Sequence, residues 1–266
     1  GKKYVPEGGA EFGERKIGNS RFAFNDKGEM VTGWVRITSG GANGGSIKNY
    51  KYYNSDGTIR TGWYSIDPPE ALADRYDNTV EWFYFSSSGE PYASASSKLL
   101  AGDLVRIKGN QYLFNENGVP VYGLVKVYTD NDRYTAFYFG TKRQCYALKG
   151  RQTVTEEDGT SYSYYFLESG KGLTGVRDSK LYYMGKEVRA SKDVSYQVFS
   201  VPNDTGDGYT NYVVNASGHI AKNTKVKNRD RVEYKTNSSG VLQSVDGNTE
   251  TAKEKFETPL EPDWFE

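Results

Sequence analysis

One short pattern returns along the chain and restricts its possible folds more than any other feature. Phe22-Ala23-Phe24-Asn25-Asp26-Lys27-Gly28 leads to Gly33-Trp34, and Tyr50-Lys51-Tyr52-Tyr53-Asn54-Ser55-Asp56-Gly57 leads to Gly62-Trp63. In both, aromatics precede Asn-x-x-Gly, and Gly-Trp stands five and six residues beyond that glycine. The same offsets return in Tyr112-Leu113-Phe114-Asn115-Glu116-Asn117-Gly118 with Gly123-Leu124, and in Tyr164-Tyr165-Phe166-Leu167-Glu168-Ser169-Gly170 with Gly175-Val176. Weaker copies end at Gly89, Gly218 and Gly240. The glycines at 28, 57, 89 and 118 are 29, 32 and 29 residues apart, and those at 218 and 240 are 22 apart. A fixed inner register with variable spacing means one structural unit separated by insertions.

Each unit has a physical interpretation. An aromatic run is a strand. Asn-x-x-Gly reverses the chain, glycine taking the positive φ that the turn needs. A second strand follows, for example over 30–37 or 119–127, which makes a hairpin. An isolated hairpin is marginal in water, so neighbours must stack and bury each other's rings. The expected fold is therefore all-β: an elongated, solenoid-like array of stacked hairpins with irregular insertions. Strands are expected near 21–25, 49–54, 80–86, 111–115, 161–167, 209–215 and 231–236, and positive φ at Gly28, Gly57, Gly118 and Gly170. About seven units fill 17–247, after an N-terminal lead at 1–16 and before an acidic tail at 248–266. Spacers 67–74 and 93–101 each have room for one helical turn, while 38–46 and 201–208 read as loops. The tail either frays or is a short helix docked through Phe256, Trp264 and Phe265.

Composition agrees with a core of rings. Tyr, Phe and Trp number 23, 12 and 4, and hydrophobic residues make up only 36%. The 34 basic and 34 acidic residues cancel, which argues against a nucleic-acid partner. No apolar run approaches the roughly 20 residues of a membrane helix, so no membrane insertion is expected. The opening Gly1-Lys2-Lys3, without Met, reads as a trimmed or mature form, so a missing export signal carries no information.

Chemistry-bearing motifs are scarce. The single Cys145 excludes an intrachain disulfide and a multi-cysteine zinc site. Its basic neighbours Lys142 and Arg143 would lower its pKa, but with one distant histidine, His219, it reads as a structural thiol. The stretch 203–208 superficially suggests a calcium loop, yet Val214 stands where an EF-hand needs glutamate. Glu156-Glu157-Asp158 reads as a solvated hairpin tip. There is no P-loop, dinucleotide fingerprint or serine elbow. Glycosidase carboxylates have a spatial signature only. No cofactor and no metal site are expected.

The unit resembles the cell-wall-binding repeat of Gram-positive surface proteins, the family of choline-binding modules and glucan-binding repeats. Its usual form is an aromatic triplet, Asn or Asp, a glycine turn and Thr-Gly-Trp. The match is best at Tyr50 to Trp63, with Thr61-Gly62-Trp63, and next at Phe22 to Trp34, with Thr32-Gly33-Trp34. Trp82-Phe83-Tyr84-Phe85 matches the triplet, and Gly218 to Val226 resembles a variant form. The resemblance covers about 18–245 with gaps. It implies a non-catalytic wall- or glycan-binding module of a secreted bacterial protein, extracellular and cell-wall associated. Its partner would be teichoic-acid choline, held by cation–π attraction, or glucan or peptidoglycan stacked on rings.

This sequence departs from the family's form in its later copies, where Leu124, Val176 and Thr224 stand at the tryptophan position. Only the first third therefore has the rings for a ligand site: Trp34 with Tyr50 and Tyr52, and Trp63 with Trp82 and Tyr84. Period-two spacing puts Tyr50 with Tyr52, and Trp82 with Tyr84, on one strand face. A second reading stays open, a structural spacer or protein-interaction array whose ligand sites have decayed. An enzyme on a divergent β fold is a third.

Overall fold

The structure, a computed structural model, describes residues 3–8, 10–37, 44–130, 132–203 and 206–264. Most of the expected loop at 38–46, part of that at 201–208, and Phe265 lie outside the described residues. The described chain is all-β: small antiparallel sheets joined by turns, with four 3-10 turns at Ile47–Asn49, Glu70–Arg75, Ala101–Asp103 and Thr251–Lys253. It divides into two compact units, Gly1–Val121 and Tyr122–Glu266.

The aromatic runs are strands, at Ser20–Asn25, Tyr50–Tyr53, Glu81–Phe85, Ser161–Phe166, Tyr209–Asn215 and Glu233–Thr236. In the Gly118 copy the strand is shorter, Asn110–Tyr112. The helical turn expected at 67–74 is present as Glu70–Arg75, whereas 93–101 holds none until its last residue. Phe12–Ile17 pairs along its whole length with Ser20–Asn25, so the lead contributes a strand.

All seven turns share one geometry. The residue four before the turn glycine pairs with the residue two after it: Phe24 with Met30, Tyr53 with Ile59, Phe85 with Pro91, Phe114 with Pro120, Phe166 with Gly172, Val214 with Ile220 and Thr236 with Leu242. At the first turn the Gly28 N–H donates to the Asn25 carbonyl at 2.8 Å, and the Asn25 N–H donates to the Glu29 carbonyl at 2.9 Å. This is a three-residue loop closed by a glycine in the left-handed region. The asparagine is needed for its side chain. Asn25, Asn115, Asn215 and Asn237 each accept, through Oδ1, the N–H groups two and four residues on, at 2.9–3.0 Å. The turn thus satisfies its own backbone donors.

The four glycines expected at positive φ have it: Gly28 69°, Gly57 79°, Gly118 76° and Gly170 84°. Crowding adds a second demand. A Cβ on Gly57 would land on the Met30 sulfur, and one on Gly89 would land on the Ile59 side chain. Each glycine is seated on the residue two beyond the preceding turn glycine. Gly57→Ala is expected to destabilise the N-terminal unit by about 1 kcal/mol or more from φ strain, the exposed Met30 side chain having room to swing aside. Gly62→Ala meets nothing within 4 Å and carries only the φ penalty, 74° in the native chain. It should cost about 1 kcal/mol. An unchanged melting temperature for either variant would contradict the positive φ at these turns.

The second strand of each unit differs from the expectation. It does not fold back as one strand over 30–37. Only Met30–Val31 returns to its own aromatic strand. Gly33, at φ 78°, then turns the chain away, and Gly33–Arg36 pairs with Tyr50–Tyr53 of the next unit. Gly62–Ile66 pairs likewise with Glu81–Phe85, and Leu124–Asp130 with Arg133–Tyr138. The glycine before each tryptophan is therefore a corner that hands the chain to its neighbour. The longer hairpins are closed by the spacers, whose lengths vary freely.

Glu156 also departs from its reading as part of a solvated tip. It is buried, accepts the Tyr164 hydroxyl, and accepts the Lys186 ammonium at 2.7 Å. A similar trio stands in the N-terminal unit, where Glu14 accepts Tyr53 Oη at 2.8 Å and Lys51 Nζ at 2.7 Å. A ring-rich core brings hydroxyls inside, and these carboxylates satisfy them. The tail docks. Phe256 packs on the cluster of Val198, Val213 and Tyr234, and Trp264 packs beside Leu124 and Tyr164.

Candidate functional site

The Gly-Trp corner delivers each tryptophan to a defined place. Trp34 pairs across the ladder with Tyr52, and Trp63 with Tyr84. Trp34 meets Tyr52 at 5.5 Å between ring centres and Tyr50 at 6.4 Å, both edge to face. It also meets Phe83 at 5.2 Å and Phe85 at 5.5 Å, from the unit after next. Its indole N–H donates to the Asp67 carbonyl at 2.7 Å, which fixes the ring plane.

Trp63 repeats the arrangement one unit on. It meets Tyr84 at 5.1 Å, Tyr112 at 5.2 Å and Phe114 at 5.8 Å. Each tryptophan thus takes one ring from the residue five before the next turn glycine. It takes two more from the residues six and four before the glycine after that. Tyr92 extends the second cluster, stacked on Tyr84 at 5.6 Å. Both tryptophans, with Tyr52, Tyr64, Tyr84, Tyr92 and Tyr112, are half-buried, whereas Phe83, Phe85 and Phe114 are buried beneath them. The arrangement offers ring surface to solvent on an apolar base, which suits cations or the apolar faces of sugars.

The structure therefore brings Trp34, Tyr50 and Tyr52 together, and Trp63 with Tyr84. Tyr50 is buried and serves as floor. Trp82 is 54% exposed and makes none of the ring contacts of either cluster. It lies on the strand face of Tyr84, two residues away, and pairs with Ser65. Sequence reasoning missed Phe83, Phe85, Tyr92, Tyr112 and Phe114. Their regular offsets from Gly89 and Gly118 carried the signal.

The later copies keep the place and lose the ring. Leu124 is fully buried among Ala136, Val154, Tyr164 and Phe166, with Tyr138 against it across the ladder. Val176 packs with Leu181, Phe199 and Val214. Leu124 fills its position as core and Val176 packs half-buried against core, whereas Thr224 is exposed.

Cys145 is buried, with its thiol pushed up by burial, which outweighs the lowering effect of Lys142. It should stay unreacted with a soluble disulfide reagent until the chain unfolds, and rapid labelling of the native protein would contradict this. His219 is exposed on a turn. Among the described residues no three His, Cys, Asp or Glu side chains gather as a metal site, and no helix is long and apolar enough to cross a membrane.

No family model matches the chain. Among curated proteins, glucosyltransferase-S of Streptococcus mutans serotype c is 26% identical over 185 residues. That match covers 68% of this chain but only 11% of the relative. The chain is also similar to choline-binding proteins. Among solved structures, CbpF in complex with ipratropium is 21% identical, with a TM-score of 0.46 over 84% of this chain and 63% of that one. Choline binding protein F of Streptococcus pneumoniae, in the presence of a peptidoglycan analogue, is 20% identical with a TM-score of 0.44, over 84% and 61%. CbpJ of the same species is 17% identical with a TM-score of 0.42, over 86% and 92%. These are the kinds of protein that the repeat itself resembles.

Proposed function

We propose that the chain is a non-catalytic wall- or glycan-binding repeat module of a secreted Gram-positive protein, located at the cell wall. Hairpins over 17–247 stack in succession as a solenoid-like array, with 1–16 as lead and 248–266 as tail. The ligand, a teichoic-acid choline head or a glucan or peptidoglycan segment, lies against the half-buried rings of the Trp34 and Trp63 clusters, with Trp82 extending the second. One observation carries the reading: the same constellation of a tryptophan and three rings, at the same offsets, is built twice. The similarity to a streptococcal glucosyltransferase supports a glucosyl-containing partner.

The decayed-array reading has support of its own, since Leu124 fills the equivalent place with core. Retention on purified Gram-positive walls and on immobilised glucan, with and without free choline, separates the two. Trp34→Ala/Trp63→Ala, shown to be folded, should lose retention, while Val176→Ala keeps it. Contacts of this kind supply a few kcal/mol, so each site should bind in the roughly millimolar range. Equal retention by the wild type and the double variant would refute the binding reading.

A further inference from the structure

We propose that Arg60 is a built-in occupant of the first aromatic cluster and bars cationic ligands from it, confining that cluster to uncharged ligands such as saccharides. The inference rests on the reading that these clusters bind ligands.

The residue three after each turn glycine has a fixed place. Its N–H donates to the carbonyl of the strand residue five before that glycine: Arg60 to Tyr52 at 2.8 Å, and Tyr92 to Tyr84 at 3.0 Å. The two side chains therefore start from equivalent positions over equivalent strands. In the second cluster that position supplies a ring, stacked on Tyr84. In the first it supplies a guanidinium, whose central carbon lies 3.9 Å from the middle of the Tyr64 ring. Tyr64 lies 5.4 Å from Tyr52, and Tyr52 lies 5.5 Å from Trp34. The cation thus covers Tyr64, the ring that adjoins the Trp34 cluster through Tyr52.

What holds it there is the ring. Arg60 Nη2 donates to the Trp63 carbonyl at 3.2 Å, while its Nε is buried with no partner. A guanidinium that leaves one donor bare gains its place from stacking on Tyr64. A quaternary ammonium would need the same π face. It would have to displace a tethered cation, whose effective concentration is high, or bind beside it against like-charge repulsion. An uncharged sugar meets neither obstacle.

The test uses the full chain with isotope-labelled tyrosine, following the ring resonances of Tyr52 and Tyr64 by NMR. Choline chloride and an α-glucan trisaccharide are titrated separately into the wild type, Arg60→Gln and Arg60→Ala. The glutamine variant keeps a polar side chain at the position should alanine loosen the fold. Choline at about 50 mM, well above the millimolar range expected for such contacts, should leave both wild-type rings unmoved. It should shift them in the variants, with apparent affinity raised at least about ten-fold. The trisaccharide response should be the same in all three proteins. Wild-type rings that answer choline as the variants do, or variants that gain no choline response, would overturn the proposal. The Tyr84 and Tyr92 resonances in the same spectra report separately on whether the clusters bind at all.

Discussion

Replacing Glu156 by alanine is expected to destabilise the C-terminal unit by about 3–5 kcal/mol, the range for breaking a buried ion pair by removing one partner. The carboxylate is almost fully enclosed. It accepts the Tyr164 hydroxyl on one oxygen and the Lys186 ammonium, at 2.7 Å, on the other. Lys186 is itself largely buried, and its ammonium lies 3.7 Å from the centre of the Tyr162 ring. Alanine would strand both a buried cation and a buried hydroxyl. Glu156→Gln keeps an acceptor for Tyr164 and should lose less. Urea denaturation followed by a probe confined to the C-terminal unit gives the measurement. A loss below about 1 kcal/mol, the level of an exposed pair, would show that the trio contributes little.

The second large effect is alkaline unfolding. Tyr53 and Tyr164 are fully buried, and their hydroxyls are pushed far above the ordinary value of 10.0, first by burial and then by the hydrogen bond to Glu14 or Glu156. Tyr134 is pushed up to about 12 by burial and by its bond to Glu261. The sign follows from proton counting. Above pH 10 the unfolded chain releases these protons while the folded chain retains them, so stability falls as pH rises. Stability from this source is complete below pH 10. Above it, each fully buried tyrosine that stays protonated costs about 1.4 kcal/mol per pH unit. Tyrosinate absorbance from the buried rings should therefore appear in a cooperative rise that coincides with loss of β-structure. A single non-cooperative titration of all 23 tyrosines, with the fold retained, would refute this.

Much of the fold was legible because its signals are local. Aromatic alternation marked the strands, and Asn-x-x-Gly marked the turns, whose bonds run between residues two to four apart. The pairing partner of Gly33–Arg36 was not legible, because a positive φ at Gly33 decides it and a spacer intervenes before Tyr50. Burial of Glu156 was hidden for a related reason, since its partner Lys186 lies 30 residues away. Of the candidate site, Trp34 with Tyr50 and Tyr52 could be read from adjacent units. Phe83 and Phe85 come from a unit further on, and nothing in a two-unit comparison pointed to them. Trp82 shares the outward strand face of Tyr84, as its spacing indicated, but makes none of the ring contacts of either cluster.

The seating of three turn glycines on the unit before them has an evolutionary consequence. Gly57 rests on Met30, Gly89 on Ile59 and Gly240 on Ile220, while Gly28 rests on the Tyr4 carbonyl and Lys3. The surface a unit offers forward is the kind it accepts from behind, so docking is head to tail and sets no length of its own. Duplication or deletion of one repeat in the gene leaves a compatible joint on either side. Selection can therefore alter valency in whole steps, adding or removing aromatic clusters without redesigning a core.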